Sequence, residues 1–146
     1  MQVRPGLEAL KPYSIDENRQ PIKLDANEKP DELLPQFAQA LQARLAKLPL
    51  NRYPEIAAAS LRGKLAASLN CSPEQIQIGN GSSELLAAIC HVFGGAGRRI
   101  VFPERSFSMY PVYARLADSE PVAVKLAMDY SLPIEAFLQQ AAQANL

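Results

Sequence analysis

The sequence predicts an α/β fold with a mainly parallel sheet, and three observations lead there. From residue 71 onward, short β-branched or apolar runs alternate with stretches whose apolar residues recur at helical spacing. Ile100-Val101-Phe102 is continuously apolar, as a parallel strand covered on both faces would be. Gly79-Asn80-Gly81 and Gly94-Gly95-Ala96-Gly97 punctuate the alternation where the chain must turn. The expected organisation is an arm over 1–34, a helical segment over 35–70, and three strand–helix units over 71–146.

The arm carries Pro5, Pro12, Pro21 and Pro30 and lacks sustained periodicity, so one extended piece over 22–26 is all it predicts. From Pro35, the residues Phe37, Leu41, Leu45 and Leu48 recur at helical spacing among Gln39, Gln42, Arg44 and Lys47, and Pro49 ends that helix. Asn51-Arg52-Tyr53-Pro54 is an irregular connection. A second helix is expected over 55–69, with Leu61, Leu65 and Leu69 on one face and Asn70 as its stop. The first strand is expected at Gln75-Ile76-Gln77-Ile78.

The next helix, 82–93, has Leu85, Leu86, Ile89, Val92 and Phe93 over a broad face and is expected to be well buried. After the second strand, 100–102, Met109, Val112, Tyr113 and Leu116 mark a helix. Val122, Val124 and Leu126 alternate with Ala123 and Lys125, which predicts a strand with a wetter face near a sheet edge. Ser131 and Pro133 introduce a last helix with Ile134, Phe137, Leu138 and Ala141 inward.

Composition removes several functional classes. Of 146 residues, 48% are hydrophobic, enough for a core, and fifteen basic residues balance fifteen acidic ones. A neutral chain with no Lys/Arg stripe is not expected to bind nucleic acid. The longest apolar run, 85–90, is far too short for a membrane span. No apolar segment follows the first six residues as in a secretory signal. Cys71 and Cys90 make neither a metal pattern nor a disulfide framework, so both are expected as buried reduced thiols of a cytoplasmic protein.

The chemistry concentrates in two places. Gly79-Asn80-Gly81-Ser82-Ser83-Glu84 takes a strand through a glycine turn directly into a helix. Such a start offers unpaired N–H groups, the positive end of the helix dipole and two hydroxyls to a phosphate. It lacks the Gly-Lys-Ser/Thr of a Walker loop and the Gly-x-Gly-x-x-Gly of a dinucleotide fold. Read alone, a plain strand-to-helix turn with serine caps fits equally well. The second place is Phe102-Pro103-Glu104-Arg105-Ser106-Phe107-Ser108-Met109-Tyr110, leaving the carboxyl end of a buried strand, where ligands of open α/β sheets collect. Tyr110 could stack on a flat ring or simply line a helix flank, and Arg105 could meet an anion or solvent. His91, the single histidine, lies among apolar neighbours and reads as structural.

Taken together, Leu24-Asp25-Ala26-Asn27-Glu28-Lys29-Pro30, Asn51-Arg52-Tyr53-Pro54, Gly79-Asn80-Gly81-Ser82-Ser83-Glu84 and Phe107-Ser108-Met109-Tyr110 resemble, in order and spacing, the beginning of the histidinol-phosphate aminotransferases. These are fold-type-I transaminases dependent on pyridoxal 5'-phosphate (PLP). The resemblance runs from Leu10-Lys11-Pro12-Tyr13 onward. It implies that Gly81, Ser82 and Ser83 hold the cofactor phosphate, that Asn80 shapes the turn, and that Tyr110 stacks on the pyridine ring. It implies further that Tyr53 crosses a homodimer interface to the phosphate of the other subunit's cofactor, and that Tyr13 and Asn27 lie near the small-molecule substrate. The implied reaction passes an amino group between glutamate and imidazole-acetol phosphate in histidine biosynthesis.

Departures accompany the resemblance. The family commonly has Asn-Glu-Asn-Pro where Asn27-Glu28-Lys29-Pro30 stands, an aspartate at Ser83, and Pro-Thr at Arg105-Ser106. The family's Schiff-base lysine lies far downstream of the stacking tyrosine, and Lys125, in the third expected strand, is not assigned that role. The first expected strand lies apart from the second and third in the family's strand order, so the sheet is expected to be incomplete. The leading expectation is the N-terminal part of a PLP-transferase large domain, inactive alone. A non-catalytic phosphate-binding or assembly module and a threonine-phosphate decarboxylase relative are the alternatives.

Overall fold

The computed structural model describes residues 4–8, 10 and 27–146. The expected extended piece at 22–26 and Tyr13 lie outside the described residues. The chain divides into two compact units, Pro12–Ser60 and Leu61–Leu146 together with Met1–Lys11.

In the first unit, α1 spans Pro35–Leu45, with proline in its first turn, where the missing N–H costs nothing. The chain then tightens through turns closed by Lys47 N–H to Arg44 O (3.0 Å) and Leu48 N–H to Leu45 O (3.1 Å). The helix therefore ends three residues before the expected Leu48, because a residue preceding proline is disfavoured in the α region.

The second helix also starts later than expected. A single 3-10 turn, Ile56–Ala58, precedes α2, Ala59–Leu69. Ala57 and Ala58 have φ of 59° and 47°. They lie within the turn closed by Glu55, whose carboxylate accepts from both the backbone N–H and the hydroxyl of Ser60 at 3.0 Å. Asn70, φ 53°, ends α2 as expected, in the left-handed conformation asparagine tolerates.

In the second unit, Arg62 of α2 donates to Pro73 O from Nε (2.9 Å) and Nη2 (2.5 Å), fastening the helix to a 3-10 turn, Pro73–Gln75. The first strand expected at 75–78 does not form. Gln75 belongs to that turn, and although Ile76 is extended (φ −116°, ψ 123°), residues 76–78 join no sheet. A strand needs a neighbour, and the two strands among the described residues pair with each other instead.

These are β1, Arg99–Pro103, and β2, Glu120–Val124, parallel and in register from Arg99↔Glu120 to Pro103↔Val124. β2 thus sits two residues earlier than its alternation suggested. The shift preserves which face each residue occupies and brings Glu120 Oε2 to 3.4 Å from Arg99 Nε. Glu120 N–H donates to Arg98 O (2.9 Å) and Glu104 N–H to Val124 O (2.8 Å), so the nitrogen of Pro121 faces away from β1. The other flank of β1 is met by the chain's last residues, with Asn145 N–H on Arg99 O (2.9 Å) and Val101 N–H on Leu146 O (2.8 Å).

Three helices accompany the sheet: α3, Gly81–Phe93, α4, Tyr110–Leu116, and α5, Ile134–Ala141. The core lies where α3, β1 and α4 meet, with Cys90, Ile100, Tyr113, Ala114 and Ala117 buried together and Leu86, Ala87 and Met109 packed against them. Gly94 allows this approach, since a Cβ there would overlap the Cys90 carbonyl oxygen and lie 2.7 Å from Ser119 Oγ. Buried Ser119 is satisfied by Gly95 N–H at 2.8 Å.

Burial is less than the patterns implied. Leu85 and Leu86 are half-buried, but Ile89, Val92 and Phe93 of α3 are exposed, Val92 at 71%. In α5, Phe137 and Ala141 turn inward while Ile134 and Leu138 remain 60% exposed. A two-stranded sheet covers one strip of a helix, not a broad face. Cys90 is buried as expected, whereas Cys71 is half-buried. His91 is exposed in the last turn of α3, where a cation would favour the helix dipole.

Candidate functional site

The glycine turn opens the thirteen-residue α3. Gly81 has φ +77°, a conformation that glycine adopts without steric cost, and a Cβ there would meet nothing within 4 Å. Asn80 precedes the helix with φ −78° and ψ 74° and makes no side-chain cap. Its N–H instead donates to Glu84 Oε2, and the Gly81 N–H donates to Gly79 O at 2.9 Å. Gly79 is pressed by Leu85, whose Cδ2 lies 2.8 Å from where a Cβ would stand.

Two of the amides at the turn are therefore taken up locally. The donors left to face outward are those of Ser82 and Ser83, both exposed, in the first turn, where a helix has no acceptors of its own. This arrangement fits a phosphate held by serine hydroxyls and first-turn N–H groups at the positive end of α3. The Glu84 carboxylate works against it, and its charge at the turn weakens the dianion's attraction.

Tyr110 opens α4, at the end of a loop that leaves the carboxyl end of β1. Its half-buried ring lies 6.0 Å from the Phe102 ring, tilted by 39°, and 5.7 Å from Phe107, edge to face at 87°. Both contacts hold the ring in place. Tyr110 N–H donates to Phe107 O (3.1 Å), and Ser106 Oγ donates to Pro103 O (2.5 Å). Since α3 and α4 share one core, with Leu86 on one and Met109 just before the other, the fold brings the serine turn and Tyr110 to the starts of two packed helices.

Tyr53 and Asn27 belong to the other unit. Tyr53 is 99% exposed, its ring uncovered by this chain. Asn27 is exposed, with φ 52°. Lys125 is exposed one residue beyond β2. Among the described residues no group of His, Cys, Asp and Glu could hold a metal ion. No helix described is long and apolar enough to cross a membrane. One contact went unremarked in the sequence pattern: the Arg105 guanidinium lies over the Tyr130 ring, 5.4 Å from its centroid. Twenty-five residues separate the two, and local spacing carries no signal for such a pair.

Comparison with known proteins places the chain in a family. The family model for aminotransferase class I and II matches residues 19–145. The histidinol-phosphate aminotransferase of Caldanaerobacter subterraneus subsp. tengcongensis is 31% identical over 137 residues, covering 94% of this chain and 39% of the relative. Histidinol-phosphate aminotransferase 2 of Nitrosococcus oceani is 37% identical over 139 residues, covering 94% and 38%. An aromatic amino acid aminotransferase of Cutibacterium acnes is 35% identical over 115 residues, covering 79% and 32%. A crystal structure from Erwinia carotovora atroseptica SCRI1043, provisionally described as a histidinol-phosphate aminotransferase, superposes with a TM-score of 0.70 at 26% identity, covering 81% of this chain and 34% of that one. The chain spans about two fifths of the length of the histidinol-phosphate aminotransferases it matches.

Proposed function

The chain belongs to the class I and II aminotransferases, and from that premise we propose that it is the N-terminal portion of a PLP-dependent enzyme acting on histidinol phosphate and the corresponding ketone. The observation that carries the proposal is the opening of α3 on Gly81, with Ser82 and Ser83 presented outward at the head of a thirteen-residue helix. In this reading Ser82 and Ser83 hold the cofactor phosphate, Gly81 and Asn80 shape the turn, and Tyr110 lies against the ring. Tyr53, fully exposed on its own unit, reaches the phosphate site of a second copy in a homodimer. Asn27 and Tyr13 approach the substrate. PLP, when bound, supplies the electron-withdrawing ring that makes amino transfer feasible. The enzyme acts in the cytoplasm on glutamate and imidazole-acetol phosphate.

Two measurements test this. Titration with PLP, against pyridoxal lacking the phosphate, is expected to show phosphate-dependent binding that falls about tenfold or more in Ser82→Ala/Ser83→Ala, because hydrogen bonds to a charged group are lost. Equal binding of both compounds would exclude a phosphate cradle. Keto-acid formation by this chain with PLP and amino acid is expected not to exceed the free-PLP background, since no lysine here is assigned to the cofactor. Turnover above that level would refute the assignment. An aromatic aminotransferase is among the relatives, so the substrate assignment needs its own test. In a full-length enzyme carrying this portion, imidazole-acetol phosphate is expected to outcompete aromatic 2-oxo acids.

A further inference from the structure

The loop that leads to Tyr110 is tied near its start to a second loop at the same end of the sheet. Arg105 stands two residues past β1 and Tyr130 six residues past β2, at the carboxyl ends of parallel neighbours. The guanidinium carbon lies 5.4 Å from the Tyr130 ring centroid, and Nη1 is 3.5 Å from the phenol oxygen. A planar guanidinium can lie on a ring and still face its hydroxyl, which an ammonium group does poorly.

Tyr130 reaches that position through unusual backbone. Its φ is +65°, sterically costly for a bulky residue. The surrounding turn enforces it. Ala127 N–H donates to Ser131 O and Tyr130 N–H to Ala127 O, both at 3.0 Å. Asp129 Oδ1 accepts from the Ser131 N–H (3.0 Å) and hydroxyl (2.6 Å). On the facing loop, Ser106 is anchored to Pro103 O and Phe107 abuts Tyr110 edge-on. A short run of anchored residues thus connects Arg105 to the Tyr110 ring.

We propose that Arg105, held on Tyr130, is a positioning residue for Tyr110, fixing the β1–α4 loop so that the ring keeps one orientation at the rim. The proposal rests on the reading of Tyr110 as the ring that lies against PLP, and assigns a new role to two residues outside that set.

The test uses the whole chain as wild type, Arg105→Ala, Tyr130→Ala and Tyr130→Phe, with hydrogen exchange resolved over 104–110 and a spectral titration with PLP. Exchange at 107–110 is expected to quicken several-fold in Arg105→Ala and Tyr130→Ala. Tyr130→Phe keeps the ring and is expected to behave as wild type. PLP affinity is expected to weaken about two- to fivefold in the two alanine variants and to be restored in Tyr130→Phe, the range an exposed cation–ring contact supports. Unchanged exchange at 107–110 overturns the proposal. So does a quicker loop with unaltered PLP affinity, because the contact would then order a loop without placing the ring. Exchange rising equally across 99–103 and 120–124 overturns it too, as a general loss of stability. If wild type binds no PLP, the proposed site fails by itself, and the exchange measurements alone decide whether Arg105 holds the loop.

Discussion

At Gly94 an added methyl would overlap the Cys90 carbonyl oxygen and crowd Ser119 Oγ, whereas at Gly63, inside α2, it would meet nothing within 4 Å. The same substitution should therefore have opposite signs. Gly94→Ala is expected to cost about 1–3 kcal/mol through overpacking, and Gly63→Ala to gain about 0.5–1 kcal/mol from helix propensity. Urea unfolding of the two variants checks both. The thiols diverge similarly. Burial pushes the Cys90 thiol above its ordinary value of 9.0, and Cys71 is half-buried. Iodoacetamide should label Cys71 first. A folded-state pKa that is raised contributes stability present below the unfolded value and lost as pH climbs through the folded one. The urea midpoint should accordingly fall above about pH 9, and less so in Cys90→Ala.

Glu55 shows how one side chain decides where an element begins. Its double acceptance from Ser60 caps α2 and offsets the left-handed Ala57 and Ala58. Glu55→Ala is expected to cost about 1 kcal/mol and to fray α2 from its first turn, visible in amide exchange. Asp129 does comparable work in the turn after β2. The hydroxyl of Ser131, and then its N–H, hold the carboxyl below its ordinary 3.8. A lowered folded-state value means that the contribution is present above 3.8 and is lost as pH falls through the depressed one. A carbon-detected titration should place the Asp129 midpoint below 3.8, with Ser131→Ala moving it back up. The centres of α1, α3, α4, α5 and both strands were legible because apolar periodicity reports local conformation. The left-handed alanines were not, because alanine carries no preference for that backbone. Nor was the unpaired 76–78, since β-branched residues make a segment extended while pairing depends on a neighbour brought from elsewhere.

At the scale of the molecule, the serine turn and the stacking candidate Tyr110 were legible as motifs, because each occupies a fixed offset from a strand and a helix. Their surroundings were not. The Glu84 carboxylate at the turn, the Phe102 and Phe107 walls around Tyr110, and the Arg105–Tyr130 contact arise from packing and loop closure. Exposure also separated from pattern, as Val92 and Leu138 show. Uncovered apolar residues and a small sheet invite self-association, and here Pro121 acquires a consequence. Its nitrogen faces the outer flank of β2 and has no proton to offer, so an incoming strand would find no donor at the first of the two outward-facing residues of β2. Pro121→Val would restore that donor, and concentration-dependent light scattering should rise well above wild type. On this reading one pyrrolidine ring blunts the outer flank of the sheet against the stacking of copies.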